Sequence, residues 1–323
     1  MHHFHRKAGS CQFRSDLVPE SHRGALVSAL AILLVGMLCG VTRAQFPKVK
    51  LPPKQEVMLV TEDEVLLKAS FWPGAAGKET VPVILLHAFR GTRQDFNVLA
   101  EFLQGKGCAV IAPDLRGHGD STQVRDGRRP LAAAEMSPPT FSGMIEDVET
   151  VKRFLMARNN SGELNIDKLC MVGAEMGAIV AANWAITDWG WPPLAVSKQG
   201  QDVKAIVLIS PPEKFKMLRI FDPLNDRAVR SQISFYIAVG NQDSTALRDA
   251  TKIYNTLKRF HPPPVKGEDQ DLFFDARIPT TLQGTKLLGK DFKQFGLAAN
   301  IAEFFEARAG KQPYEWHDRK LPQ

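Results

Sequence analysis

Eight short apolar runs limit what this chain can become. They fall at Glu56–Val60, Val65–Trp72, Val81–His87, Ala109–Ala112, Leu169–Val172, Ala205–Ser210, Ile233–Val239 and Leu272–Ile278. Several are almost uninterrupted, as strands covered on both faces of a parallel sheet must be. Helical patterns separate them. One spans Asp95–Gln104; Met144, Ile145, Val148, Val151, Phe154 and Leu155 share a face of another; others cover Met176–Thr187 and Ser244–Phe260. Phe292, Phe295, Ile301, Phe304 and Phe305 stripe the last. Two opening strands followed by strand–helix alternation predict a doubly wound α/β sheet, eight-stranded and mostly parallel, with helices on both sides. The expected domain is 55–310, after a Pro/Lys-rich spacer at 45–54 and before a polar tail at 311–323 that should fray.

Composition narrows the class further. With 323 residues, 44% hydrophobic and 24% charged, the chain has enough apolar material for one large core, and disorder, collagen and coiled coil are excluded. The formal charge is +6. Five basic and two acidic residues lie in 1–44; without them 36 basic and 33 acidic residues remain, a net +3. So weak a bias implies no nucleic-acid partner. Gly24–Val41 carries no charge, follows Arg23 and precedes Thr42-Arg43-Ala44. A basic flank, an apolar run and a small-residue cut site predict a signal peptide at 1–44 and export. The alternative is an uncleaved membrane anchor through 24–41, since the run approaches the length of a span. Cys11 and Cys39 lie in this leader. Cys108 and Cys170 lie in apolar runs, with no CxxC pair and no Cys/His cluster, so neither a structural metal nor a disulfide framework is expected.

Four segments then stand in order, each at a strand end: Val83–Gly91 (VILLHAFRG), Ala112–Ser121 (APDLRGHGDS), Met171–Gly177 (MVGAEMG) and Ala238–Asp243 (AVGNQD). Together they resemble the α/β-hydrolase superfamily, particularly its esterase, lipase and serine-aminopeptidase-like members. The resemblance covers roughly residues 56–308, most of the chain after the leader. It implies a nucleophile elbow at Gly173–Gly177, whose two glycines permit the tight strand-to-helix turn. It implies an oxyanion hole from the backbone N–H groups of Phe89 and Met176, and an acid at Asp243. No cofactor or metal is implied.

The sequence departs from the family where the chemistry sits. The elbow normally reads Gly-x-Ser-x-Gly, but its centre here is Glu175. The family histidine follows the last strand, but here Gln283-Gly284 replaces His-Gly. Ala88 stands where glycine is usual. No other histidine fills the gap on sequence grounds: His87 is on the right face but reads as a loop organiser, His118 belongs to a turn, His261 precedes the last strand at the wrong end, and His317 is in the tail. Ser121, Ser210 and Ser244 have no evident base and read as turn or surface serines.

Three roles for Glu175 follow. In the preferred one its carboxylate folds into the vacant oxyanion hole at a helix N-terminus, with Gln283 bridging Glu175 and Asp243. Catalysis is then lost, and the triad-equivalent positions Glu175, Asp243 and Gln283 are non-catalytic. The chain would be an exported pseudoenzyme binding an unknown small molecule or protein. In the second, an active hydrolase of esters or amides uses Glu175 as a carboxylate nucleophile, though no base is at hand for the second half-reaction. In the third, Glu175, Asp243 and Asp275 hold a cation or amine. The segment between Ser210 and Ile233 is too short for a large cap. One short helix is expected there, around Phe215–Phe221. Trp189 and Trp191 read as packing residues.

Overall fold

The computed structural model describes residues 50–319 apart from 126, 128, 193, 195–197, 266–269 and 290–294. The leader, half of the spacer (45–49) and Phe292 lie outside the described residues. All eight predicted strands form: β1 Gln55–Val60, β2 Leu66–Trp72, β3 Pro82–Leu86, β4 Ala109–Pro113, β5 Leu169–Ala174, β6 Val203–Ile209, β9 Ser234–Gly240 and β10 Leu272–Ile278. A two-residue hairpin, β7 Lys214–Phe215 and β8 Leu218–Arg219, lies between β6 and β9. The main sheet runs β1-β2-β4-β3-β5-β6-β9-β10. β1/β2 and β2/β4 pair antiparallel, and every later pair is parallel.

The pleat divides the apolar runs between two cores. Ile84 and Leu86 of β3 and Leu169 and Met171 of β5 face one. Val83 and Leu85, with Cys170, Val172 and Ala174, face the other. A strand buried on both sides has no polar position to spare, which is why these runs show no alternation. Helices α3 Met144–Asn160 and α4 Met176–Gly190 cover the first face; α1 Asn97–Gly105 and α8 Leu297–Phe305 cover the second. α7 Ser244–Leu257 packs on β9. α2 Pro138–Ser142 leads into α3.

Two local expectations change. Residues 215–221 do not make a helix. Phe215 pairs with Leu218 across the turn Lys216-Met217, and Lys216 adopts φ +54°, the left-handed geometry of a tight hairpin. Short helices α5 Phe221–Asn225 and α6 Arg227–Gln232 follow, and no large cap is present among the described residues.

The tail is also ordered as far as Arg319. Trp316 Nε1 donates to Asn159 O at 3.2 Å, and Asn160 Nδ2 donates to Arg319 O at 2.7 Å. The Arg319 guanidinium is buried between Asp167 and Asp202. Lys152 joins Asp188 (2.6 Å) and Asp202 (3.0 Å), and Lys198 reaches Asp167 and Asp202. Three cations meet three carboxylates, so a polar tail gains fixed partners that compensate for the chain entropy lost on ordering it.

Cys108 and Cys170 are free and buried on either side of β3, too far apart in the sheet to join. Burial pushes the Cys108 thiol up to about 12 and the Cys170 thiol well above the usual thiol range. Trp189 Nε1 donates to Val203 O at 3.0 Å, a packing role as expected.

Candidate active site at the strand-to-helix elbow

The elbow sits at the centre of the sheet. β5 lies between β3 and β6, with Gly173 opposite Leu86 and Ala174 opposite Ile209. The chain must reverse from β5 into α4 within one residue. Glu175 does so at φ +48°, ψ −109°, a conformation that costs an L-residue of the order of 1–3 kcal/mol. Its N–H donates to Ile209 O at 2.8 Å, and its carbonyl accepts from Ala178 N–H at 3.0 Å. The two glycines are required by close approach: a Cβ on Gly173 would stand 2.4 Å from Gly177 O, and one on Gly177 would stand 2.1 Å from Leu86 O. The family's strained turn is therefore built in full around a glutamate.

The preferred role for its side chain is not what the structure adopts. Neither Phe89 N–H nor Met176 N–H bonds the Glu175 carboxylate, and both lack any acceptor among the described residues. The carboxylate lies instead against Gly284, which starts a 3-10 turn at φ +59°; a Cβ on Gly284 would come 2.5 Å from Oε1. Glycine leaves room there. Burial raises the Glu175 carboxyl above its ordinary range, opposed by the field of Lys286 on the same turn. The hollow flanked by Lys286 thus holds the carboxylate, and the Phe89 and Met176 N–H groups are left to one side of it.

Gln283 does not bridge Glu175 and Asp243. Its Nε2 donates to Gly240 O at 2.9 Å. Its Oε1 accepts from Gly240 N–H at 3.3 Å and from Ser210 Oγ–H at 2.6 Å. Gly284 N–H donates to Ser210 Oγ at 3.0 Å. The amide thus pairs with the end of β9 as a peptide group would. Asp243 caps α7: its Oδ1 accepts from Thr245 and Ala246 N–H, both at 3.0 Å. A capping carboxylate satisfies orphan donors of the helix, which here outcompetes reaching for a side-chain amide. Ser210, read from sequence as a bland turn residue, holds this corner at φ +50°. No local pattern marked it, because its partner is 73 residues away.

Each described histidine has other employment or a distant place. His87 is fully buried; its Nδ1 bonds Ala88 O at 2.8 Å, and its Nε2 accepts from Leu115 N–H at 3.0 Å. Those partners fix Nδ1 as the protonated nitrogen, and burial presses the ring down to about 4. His87 is the loop organiser the sequence suggested. His118 bonds Arg116 O through Nδ1 at 3.0 Å. His261 packs on Phe235 at the opposite end of β9, and His317 lies 3.5 Å from Asp167. No serine hydrogen-bonds a histidine among the described residues.

The carboxylates do not converge either. Asp275 accepts from Tyr236 O–H at 3.0 Å and pairs with Arg277, while Asp243 is spent on its helix. Among the described residues no group of three His, Cys, Asp or Glu side chains could hold a metal ion. A row of aromatic rings runs on from Phe89: Phe89 to Phe215 at 5.0 Å, Phe215 to Phe141 at 5.4 Å, and Phe89 to His118 at 5.5 Å. Arg90 and Lys216 stand over the Phe89 ring at 5.5 and 5.9 Å. Sequence reading missed this row because the hairpin that delivers Phe215 was not foreseen.

Comparison with known proteins agrees with the geometry. The model of the Hydrolase_4 family, serine aminopeptidase S33, matches residues 79–221. An esterase of Pyrococcus furiosus superposes with a TM-score of 0.54 at 17% identity, over 80% of this chain and 93% of that one. A thermostable carboxyl esterase of Bacillus coagulans gives 0.55 at 12%, over 80% and 99%. At such identities the likeness is one of fold. An uncharacterized protein of Mycobacterium tuberculosis (strain H37Rv) is 26% identical over 148 residues, 45% of each chain, so this chain spans under half the length of the curated relative it matches. Sheet order, strand-to-helix elbow and structural neighbours together show that the chain has the α/β-hydrolase fold, and residues 79–221 are similar to the serine aminopeptidase family.

Proposed function

We propose that this is an exported α/β-hydrolase-fold protein without serine-hydrolase catalysis, and that its former active site binds a small molecule or a protein segment. The observation carrying this reading is the occupancy of the two decisive positions: Glu175 holds the strained elbow, and Gln283 is tied to Gly240 and Ser210. Acyl transfer needs a deprotonated nucleophile and a group that takes its proton and returns it to the leaving atom. An amide fixed by backbone bonds does neither. His87, the imidazole on the correct face, is already a donor at one nitrogen and an acceptor at the other. What persists is recognition. The Phe89 and Met176 N–H groups have no acceptor among the described residues, and the Phe89–Phe215–Phe141 row of rings starts beside the first of them. Export rests on the apolar leader 24–41.

The open oxyanion hole also favours a second reading, in which Glu175 attacks the carbonyl carbon of an activated ester and forms a mixed anhydride as the acyl C–O bond breaks and the alcohol leaves, its alkoxide protonated by solvent. Its weakness is the absence of a base to activate water for the second half-reaction. A steady-state panel of activated esters and amides separates the two, using wild type and Glu175→Gln. Silence in both is expected. Turnover by wild type that disappears in Glu175→Gln would establish the carboxylate mechanism.

A further inference from the structure

At the end of the sheet opposite the elbow, a polar cavity of about 160 Å³ opens beside the first residues of β6 and β9. Lys204, His261, Asp271, Arg308, Gln312 and Tyr314 line it. The balance of charge around it is uneven. Arg308 pairs with Asp271. The neighbouring network is neutral in itself, with Lys152, Lys198 and Arg319 against Asp167, Asp188 and Asp202. Lys204 is the surplus cation. It is only 8% exposed, and no carboxylate lies within ion-pair distance of its Nζ among the described residues. Among the described residues its Nζ donates to Gln201 O at 2.5 Å, and the rings of Tyr314 and Trp189 stand 4.8 and 5.3 Å away. A buried ammonium without a counter-charge is costly. Desolvation presses Lys204 down to about 8, with Lys198 adding to the effect. On the same cavity wall His261 is 7% exposed, and its Nε2 has no hydrogen-bond partner. A cation with no ion-pair contact among the described residues, compensated only at a distance by Asp202, Asp167 and Asp188, and an unpartnered ring nitrogen meet in one polar space.

We propose that this cavity binds a small oxyanion, a phosphate or a carboxylate group, with the Lys204 ammonium as its charge partner and the His261 ring, protonated on binding, donating from Nε2 as a second contact. The volume suits such a group with a water or two, a water occupying roughly 30 Å³. Gln312 and Tyr314 bring the C-terminal segment to the same wall, so an occupied site stiffens the tail as well as neutralising Lys204.

The test uses the full chain with inorganic phosphate or acetate, against chloride at matched ionic strength. Isothermal titration of wild type should give one saturable site for one of the two oxyanions, and which one responds distinguishes a phosphate from a carboxylate ligand. At ten times the dissociation constant the melting temperature should rise by about 3 °C, and chloride should not reproduce the rise. Lys204→Met should weaken binding at least ten-fold. A flat titration of wild type with both anions overturns the proposal, even where Lys204→Met does not fold. So does an equal response of wild type and variant, which is what general exclusion of a kosmotropic anion from the protein surface produces.

Discussion

Replacing Arg319 by alanine removes the buried guanidinium that fastens the tail to Asp167 and Asp202. The guanidinium is fully buried; its Nη2 donates to Asp167 Oδ1 at 2.8 Å and to Asp202 Oδ1. Breaking a buried pair ordinarily costs about 3–5 kcal/mol, because a carboxylate is left without its partner. Here the loss is softened twice. Asp202 keeps Lys152 at 3.0 Å and Lys198 at 3.2 Å, and Asp167 keeps Lys198. Arg319 also buries Nε and Nη1 without partners, a penalty of about 1–3 kcal/mol that disappears with the side chain. The net cost is about 2 kcal/mol. For a domain of this size that lowers the melting temperature by about 4–8 °C. Urea unfolding should show a lower midpoint with an unchanged slope. Acid adds a check. Burial works to raise the Asp202 carboxyl, but Lys152, Arg319 and Lys198 outweigh it and hold it below its ordinary value. A group depressed in the folded state stabilises above its unfolded pKa and loses that contribution as pH falls through the folded one. The variant should therefore lose less stability on acidification than wild type. A melting temperature within 1 °C of wild type would refute the clamp and restore a frayed tail.

Other predictions follow from the site. His87 holds its proton far less readily when folded, near 4, than when unfolded, near 6.5. The unfolded chain binds more protons between those values, so His87 contributes stability that is full above about pH 6.5 and is lost as pH falls towards 4, about 3 kcal/mol in all. His87→Gln, which keeps one donor and one acceptor, should flatten that slope in urea titrations run from pH 7 to 4. An unchanged slope would mean that the ring is solvated. Gly177→Ala drives a Cβ to 2.1 Å from Leu86 O and 2.8 Å from His87 O, both backbone atoms. It should cost at least about 1–3 kcal/mol and lower the melting temperature accordingly. A neutral result would mean that the elbow is not packed against β3.

The fold was legible because its strands are buried on both faces. A run such as Val83–Leu86 has little freedom to be anything else. The elbow was equally legible, since Gly173 and Gly177 are fixed by atoms within 2.5 Å of a would-be Cβ. What escaped was decided by partners far away in sequence. Gln283 could have served Glu175 or Asp243, and only the geometry of Ser210 and Gly240 shows that it serves neither. Glu175 prefers the hollow over Gly284 to the oxyanion hole, a choice between two nearby sites that no spacing encodes. The tail looked like solvent-exposed sequence because its composition is polar. Its buried arginine answers carboxylates 117 and 152 positions earlier. The hairpin at Lys216-Met217 was read as a helix because its apolar residues are too few to show a period.

The central claim is that the elbow offers a fixed anion, with no hydroxyl and no imidazole able to pass a proton. Intact-protein mass spectrometry after exposure to a serine-reactive fluorophosphonate tests it most directly, with Glu175→Ser/Gln283→His alongside. Wild type should keep its mass, and the double variant should gain one adduct at position 175. A stoichiometric adduct on any serine of the wild-type chain would contradict the account.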